Sequence, residues 1–345
     1  QELVVKHPEL AAAVQAYGLV LQARGDYEGA AEVLSEAARL QAQQPDGGIA
    51  LSETISELAN THFYAGDYEK SDSLNRLALA MDQELYGRRH PNVASSLVNL
   101  GATRFNLGYL DEAEGLYRQA LGIYAAYYGD NHPTTASTMM MLAQSISAAK
   151  RFDEANALLE PALAIRERVY GPDHPRVATT LNELGTLALN QGRLDEAEAY
   201  FRRMHGIYSR VYDDNHFLIA IALSNLASVH RQKGDLQESE AAMRESVRRF
   251  TETLSAEHFQ TAVARLKLGR ILRFEGKTEE AIEELVAGYE ILATQLSPTS
   301  QWLTDAAQDL AAAYEAVGDV DRAATYRQAL ASAEPVVDTA TKDER

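Results

Sequence analysis

The chain has 345 residues, contains no cysteine and carries a formal charge of −18. Without thiols there is neither a disulfide frame nor a thiolate centre, and so acidic a surface disfavours non-specific contact with nucleic acid or anionic membranes. No run approaches the roughly 18 apolar residues of a membrane span, and Gln1-Glu2-Leu3 lacks the basic start of a signal peptide. These features fit a cytoplasmic protein with no membrane or nucleic-acid partner. The missing initiator Met favours a segment of a longer chain or a processed product.

In chain order, His7-Pro8 is the first instance of a motif that returns as His90-Pro91, His132-Pro133, His174-Pro175, His216-Phe217 and His258-Phe259. From His90 onward the interval is a constant 42 residues, and Ser300 stands where the next His would fall. A period of this size marks a solenoid of stacked supersecondary units. It predicts eight repeats, starting near 7, 48, 90, 132, 174, 216, 258 and 300. Repeat 1 is one residue short, and repeat 2 has Gly47-Gly48 in place of His-Pro.

Each repeat reads as two helices, A and B. In repeat 5, Val177, Leu181, Leu184 and Ala188 mark one face of helix A. Leu194, Ala197, Phe201, Met204 and Tyr208 mark one face of helix B. Both sets have helical spacing, and strict alternation is missing throughout. Pro91, Pro133 and Pro175 suit the first turn of helix A. Gly66, Gly108, Gly192, Gly234, Gly276 and Gly318 stand where helix A should close, with Lys150 in that place in repeat 4. Helix B is expected to open on Asp67, Asp111, Asp153 or Asp195, since acids are favoured at a helix N-terminus. Small residues recur in helix A (Gly18, Ala59, Gly101, Ala143, Gly185, Ala227, Gly269, Ala311) and in helix B (Ala30, Ser71, Ala113, Ala155, Ala197, Ser239, Ala281, Ala323). They predict a close A–B contact. The stretch from Ala331 onward reads as a fraying tail.

The residues that could carry chemistry have structural readings beside them. One histidine per repeat is too widely spaced to share a metal ion, because helix layers lie roughly 8–10 Å apart and zinc–nitrogen bonds are about 2.1 Å. Capping or packing of the loop between repeats is the alternative. Gly276-Lys277-Thr278 imitates the end of a phosphate loop, but Ile271 stands where the upstream glycine is required and no strand precedes it. The Asp and Glu residues at the start of helix B complement the helix dipole, and no paired catalytic carboxylate stands out. Met139-Met140-Met141 is either core packing or an adaptable contact surface. No catalytic residue, metal or cofactor is expected.

The Leu-Gly or Leu-Ala pairs of helix A, the Gly-x-[Tyr/Leu]-x-Glu-Ala turns and the aromatic of helix B resemble the tetratricopeptide repeat. The 42-residue period, with Tyr86-Gly87, Tyr128-Gly129 and Tyr170-Gly171 ahead of His-Pro, is similar to the kinesin-light-chain variety. The resemblance implies an all-α, right-handed superhelical solenoid of about eight helix-turn-helix repeats. It would form one domain over 1–335, with 336–345 as a disordered tail. It also implies a groove lined by helix A that binds a peptide or protein segment without turnover.

Carried over by position, the groove residues are Asn60, Tyr64, Asn99, Asn106, Gln144, Asn190, Asn225, Arg231, Gln232, Lys267, Arg270 and Arg273. The amides can hold a peptide backbone, because each donates and accepts; solvated helix residues are the alternative. The late basic residues Arg231, Lys267, Arg270 and Arg273 predict a partner with an acidic segment or a C-terminal carboxylate. That expectation fails for any of them that pairs with an acid on a neighbouring helix. A different reading makes the array the regulatory or sensor arm of a larger signalling enzyme, such as a bacterial Ser/Thr kinase or NTPase.

Overall fold

The structure, a computed structural model, describes residues 8–45, 47–213, 216–297 and 300–333. His7 and the tail from residue 334 lie outside the described residues, whereas Ala331 to Ala333 still belong to the last helix. The described residues form sixteen α-helices and no strand. The chain divides into two compact units, Gln1–Pro172 and Asp173–Arg345.

In the N-terminal unit the A helices are α1 (Pro8–Ala23), α3 (Gly48–Tyr64), α5 (Pro91–Asn106) and α7 (Pro133–Ala148). Its B helices are α2 (Tyr27–Gln41), α4 (Tyr68–Tyr86), α6 (Leu110–Tyr128) and α8 (Phe152–Tyr170). In the C-terminal unit the A helices are α9 (Pro175–Asn190), α11 (Phe217–Lys233), α13 (Phe259–Phe274) and α15 (Gln301–Ala316). Its B helices are α10 (Leu194–Val211), α12 (Leu236–Thr253), α14 (Thr278–Ala293) and α16 (Val320–Ala333). Within each unit, A and B of one repeat form a hairpin, and B packs on the next A. Successive A helices also touch, so that one face of each unit is built from A helices.

The periodic histidines are helix caps. His90, His132, His174, His216 and His258 are the N-caps of α5, α7, α9, α11 and α13. In each, Nδ1 accepts the backbone N–H two residues on, at 3.1–3.2 Å. Tyrosines four residues earlier stack on the caps, Tyr86 on His90, Tyr128 on His132 and Tyr212 on His216. Ser300 caps α15 by accepting from the Leu303 N–H. A helix N-terminus leaves several N–H groups unpaired, so one imidazole both satisfies a donor and packs the loop.

At the start of helix B, Asp67 is the N-cap and accepts from the Lys70 N–H. Asp111, Asp153 and Asp195 instead are the second residues of their helices, two places after Tyr109, Arg151 and Arg193 as N-caps. There they face the dipole without closing a cap bond.

The small-residue columns lie where the two helices meet. Gly185 is buried, and a methyl group there would stand 2.5 Å from Cε1 of Phe201; at Gly101 it would stand 2.8 Å from Cε1 of Tyr117. Facing them, Ala113, Ala155, Ala197 and Ala281 are fully buried. Of the methionines, Met139 and Met140 pack on Ala136, Ala162 and Ile165, and only Met141 is exposed. Ion pairs stitch adjacent B helices: Arg151 to Glu114 at 2.7 Å in the N-terminal unit, and Arg244 to Glu280 at 2.6 Å in the C-terminal one.

Two stability changes follow. Gly185→Leu drives a side chain into the Phe201 ring and should cost roughly 1–3 kcal/mol, read as a lower urea midpoint. Lys150 adopts φ 61° in the turn where the other repeats place glycine. Lys150→Gly should therefore raise stability by about 1 kcal/mol, read as a higher midpoint in the same titration.

Candidate binding face

The residues expected to face a groove do lie on A helices, but their surroundings differ between the two units. In the N-terminal unit Asn60 and Asn99 line one cleft of about 350 Å³. Its walls are two helical stripes at i, i+3, i+4 and i+7. They are Glu53, Ser56, Glu57 and Asn60 on α3, and Asn92, Ser95, Ser96 and Asn99 on α5. Ser52, also on α3, completes the lining, and the floor is Asp82 and Tyr86 from the last turns of α4. Asp82 is only 7% exposed. It accepts from the Ser52 hydroxyl at 2.6 Å and from the Ser96 hydroxyl. Asn60 donates to Glu57 at the margin of hydrogen-bond length, 3.5 Å.

The other predicted residues of this unit stand apart from the cleft. Tyr64 is exposed and stacks on Tyr27. Asn106 is exposed and donates to the Ala102 carbonyl of its own helix, so its N–H is already engaged. Gln144 is exposed on α7.

In the C-terminal unit a polar ladder runs from one A helix to the next. Asn225 on α11 donates to Asn182 on α9 at 2.7 Å, and Lys267 on α13 donates to Ser224 on α11 at 3.2 Å. Burial pushes the Lys267 ammonium below its ordinary value, and the charge of Arg270 adds to that. Burial likewise lifts the Glu183 carboxyl above its ordinary value, against a hydrogen bond from Asn182. Asn190 and Gln232 are exposed.

The basic cluster does not stand free as a whole. Arg270 pairs with Asp309, and its Nη2 lies 3.7 Å from Asp305. Arg273 reaches Asp309 Oδ1 at 3.0 Å and its carbonyl at 3.3 Å. Both guanidinium groups are thus neutralised by α15, which corrects the expectation of a free carboxylate clamp at these two residues. The reason is local: the acids of α15 sit one repeat further along the same face. Arg231 lies over the exposed Phe274 ring at 5.8 Å.

The phosphate-loop mimic resolves as a turn. Gly276 has φ 78°, and Lys277 bridges Glu240 and Glu275 at 2.6 and 2.8 Å. Among the described residues, no three His, Asp or Glu side chains converge as a metal site, and no helix is long and apolar enough to cross a membrane.

The position-by-position reading of helix A missed Asp82 and Tyr86, because they belong to helix B. A signal was present. In the 42-residue frame the column of Asp82 holds Tyr124, Arg166, Tyr208, Phe250 and Leu292. A single small acid in a column of large side chains is the anomaly that opens the cleft.

The tetratricopeptide repeat family profile matches residues 50–124, 92–160, 137–210, 177–252 and 218–294, which together span more than half of the chain. Among solved structures, the chain is similar to BtubC (BKLC) from P. vanneervenii, at 28% identity and a TM-score of 0.55 over 64% of this chain and 87% of that one. It is also similar to a putative kinesin light chain with nearly identical TPR-like repeats from Podosopora anserina, at 22% identity and a TM-score of 0.51 over 59% and 96%. A Rap protein complexed with Competence and Sporulation Factor shares the fold over 95% of this chain and 98% of that one, at 14% identity and a TM-score of 0.60. A comparison with curated protein sequences finds no match.

The Glu183 shift has a definite sign. The fold favours the neutral acid, so its contribution is complete below the ordinary value of 4.5 and is lost as pH rises through the higher folded value. Glu183→Gln should therefore raise the unfolding midpoint at pH 7 and leave it unchanged at pH 3, in parallel urea titrations.

Proposed function

This chain belongs to the tetratricopeptide repeat family, and we propose that it is an interaction scaffold that takes a peptide or protein segment on its A-helix face. The observation that carries this reading is the character of that face. It presents amides, hydroxyls and a few charges: Asn60 and Asn99 in one unit, Asn190, Gln232 and Arg231 in the other. An extended chain needs both donors and acceptors along its path, and amide side chains supply both. The B-helix edge is committed to internal ion pairs between repeats, such as Arg151 to Glu114 and Arg244 to Glu280. That a protein of this fold was solved in complex with Competence and Sporulation Factor supports the same reading.

For the C-terminal unit, an acidic segment remains the partner feature we propose, with a narrower basis. Arg231 would meet it, since Lys267 is buried against Ser224 and Arg270 and Arg273 already face Asp309. The contact is a single charge against a flat guanidinium on Phe274, not a bidentate clamp.

Photo-cross-linking tests the face. A benzoyl-phenylalanine is placed at exposed A-helix positions (Gln144, Asn190, Gln232) or at exposed B-helix positions (Arg118, Arg202), and the chain is offered a displayed random-peptide library. Adducts confined to the A-helix positions are the expected result. Adducts formed only from Arg118 and Arg202, or none at any position, would remove this reading.

A further inference from the structure

We propose that the cleft between repeats 2 and 3 is a receptor for a cationic side chain, and that its occupant is an arginine of a bound peptide. This rests on the A-helix reading above and names one specificity pocket within it.

The cleft arises from a departure within the repeat. In other repeats the column of Asp82 is filled by Tyr124, Tyr208, Phe250 and Leu292, all buried. These side chains occupy the space between one A helix and the next. Aspartate is too short to fill it, and a space of about 350 Å³ remains. That is within the size range of small-ligand pockets.

The lining chemistry selects the sign of the occupant. Asp82, Glu53 and Glu57 contribute three carboxylates; the other lining residues are serines, asparagines and Tyr86, with no Lys or Arg. Asp82 is more than nine-tenths buried and has no cation beside it. Two serine hydroxyls occupy two of its acceptor positions, whereas a carboxylate offers about four. A buried charge is expensive unless it is paired. The structure therefore places a buried carboxyl group without a cationic partner at the floor of an open recess, and a cation entering the recess would be its counter-charge. A metal ion fits poorly, because no three acidic or His side chains among the described residues converge on one point.

The geometry favours a guanidinium. Its five N–H donors radiate in a plane, matching acceptors spread over the walls and floor rather than gathered at one atom. The repeat itself contains the precedent. In repeat 4 the column of Asp82 holds Arg166, whose buried Nη2 donates to Ser137 at 2.9 Å. Ser137 stands to Arg166 as Glu53, a wall residue of the cleft on α3, stands to Asp82. The space between A helices at this level thus accommodates a guanidinium bonded to a serine hydroxyl. Where repeat 4 builds that group in, repeat 2 presents an acid.

The test uses the whole chain and two small probes, N-acetyl-arginine amide and its neutral counterpart N-acetyl-citrulline amide, titrated while the side-chain amide signals of Asn60, Asn92 and Asn99 are followed by NMR. The arginine probe should shift these signals saturably, and the citrulline probe should require at least a tenfold higher concentration. Asp82→Asn keeps the size of the floor residue and should weaken the arginine response at least tenfold. Glu57→Gln, at the rim and away from the core, should weaken it severalfold in a protein whose folding is not in question. Equal responses to the two probes, no saturation, or wild-type behaviour in both variants would overturn the assignment. A tighter response to spermidine than to the arginine probe would overturn it in favour of a free polyamine. These outcomes are read independently of the cross-linking experiment. A chain that captures peptides on its A-helix face but ignores the arginine probe refutes the pocket alone.

Discussion

The molecule depends on how closely helix A and helix B of one repeat approach each other. That distance is set by a column of glycine or alanine on A and of alanine or serine on B. At Gly185 there is no room for even a methyl group, because the Phe201 ring occupies the space. The ring in turn is almost fully buried, as are Met204 and Tyr208 along the same helix. The hairpin angle follows from this contact, and the angle decides which stripe of helix A turns away from helix B. Every residue on the A-helix face owes its direction to side chains that are absent beneath it. The energetic logic is that of close packing: interiors tolerate neither voids nor overlap, so a periodic small residue imposes a periodic geometry.

Stacking then needs joints between repeats, and the joints here are polar. The histidine caps start helix A, and His90 and His132 also lean on a tyrosine from the preceding helix B, Tyr86 and Tyr128. Along the C-terminal unit, Asn182–Asn225, Ser224–Lys267 and Arg270–Asp309 tie each A helix to the next. In a quasi-one-dimensional protein, stability is close to a sum of repeat terms and nearest-neighbour terms. Polar joints on the A-helix face therefore compete with its use for binding. Arg273 illustrates the competition: it lies on the A-helix face and yet serves the interface with α15.

The sequence carried the parts of this structure that repeat. The limits of helix A, the turn glycines and the buried columns were legible, because a period of 42 residues averages out local ambiguity and leaves the shared constraint. Pro175 to Asn190 could be read as one helix from its proline, its apolar stripe and its closing turn. What could not be read was pairing. Arg270 and Asp309 are 39 residues apart, and nothing in either residue alone says that they meet. Asn225 likewise looks free in a linear reading, whereas its amide already bonds Asn182. Side-chain partners depend on rotamers and on the offset between neighbouring helices, and periodicity fixes neither. The cleft was missed for a related reason. Its floor comes from helix B, outside the helix A columns that a groove reading covers.

A repeat fold is its own reference state, and this gives the departures meaning. Where a column holds Tyr124, Tyr208, Phe250 and Leu292, the side chain contributes burial and fills space. Putting Asp82 in that column removes apolar burial, leaves a cavity and desolvates a carboxylate, three costs of the same sign. A scaffold selected for stability alone has no use for them. By contrast Lys150, in the left-handed conformation, departs from its column at an exposed turn, where the cost is small and no recess results. The two departures differ in what they create. A strained turn offers a ligand nothing, whereas a buried acid at the floor of a hydroxyl- and amide-lined recess offers it a charge, a shape and a place beside the amides of Asn60 and Asn99. Specificity in a periodic protein has to come from such breaks, because a face that repeats without interruption cannot fix the register of the chain lying on it.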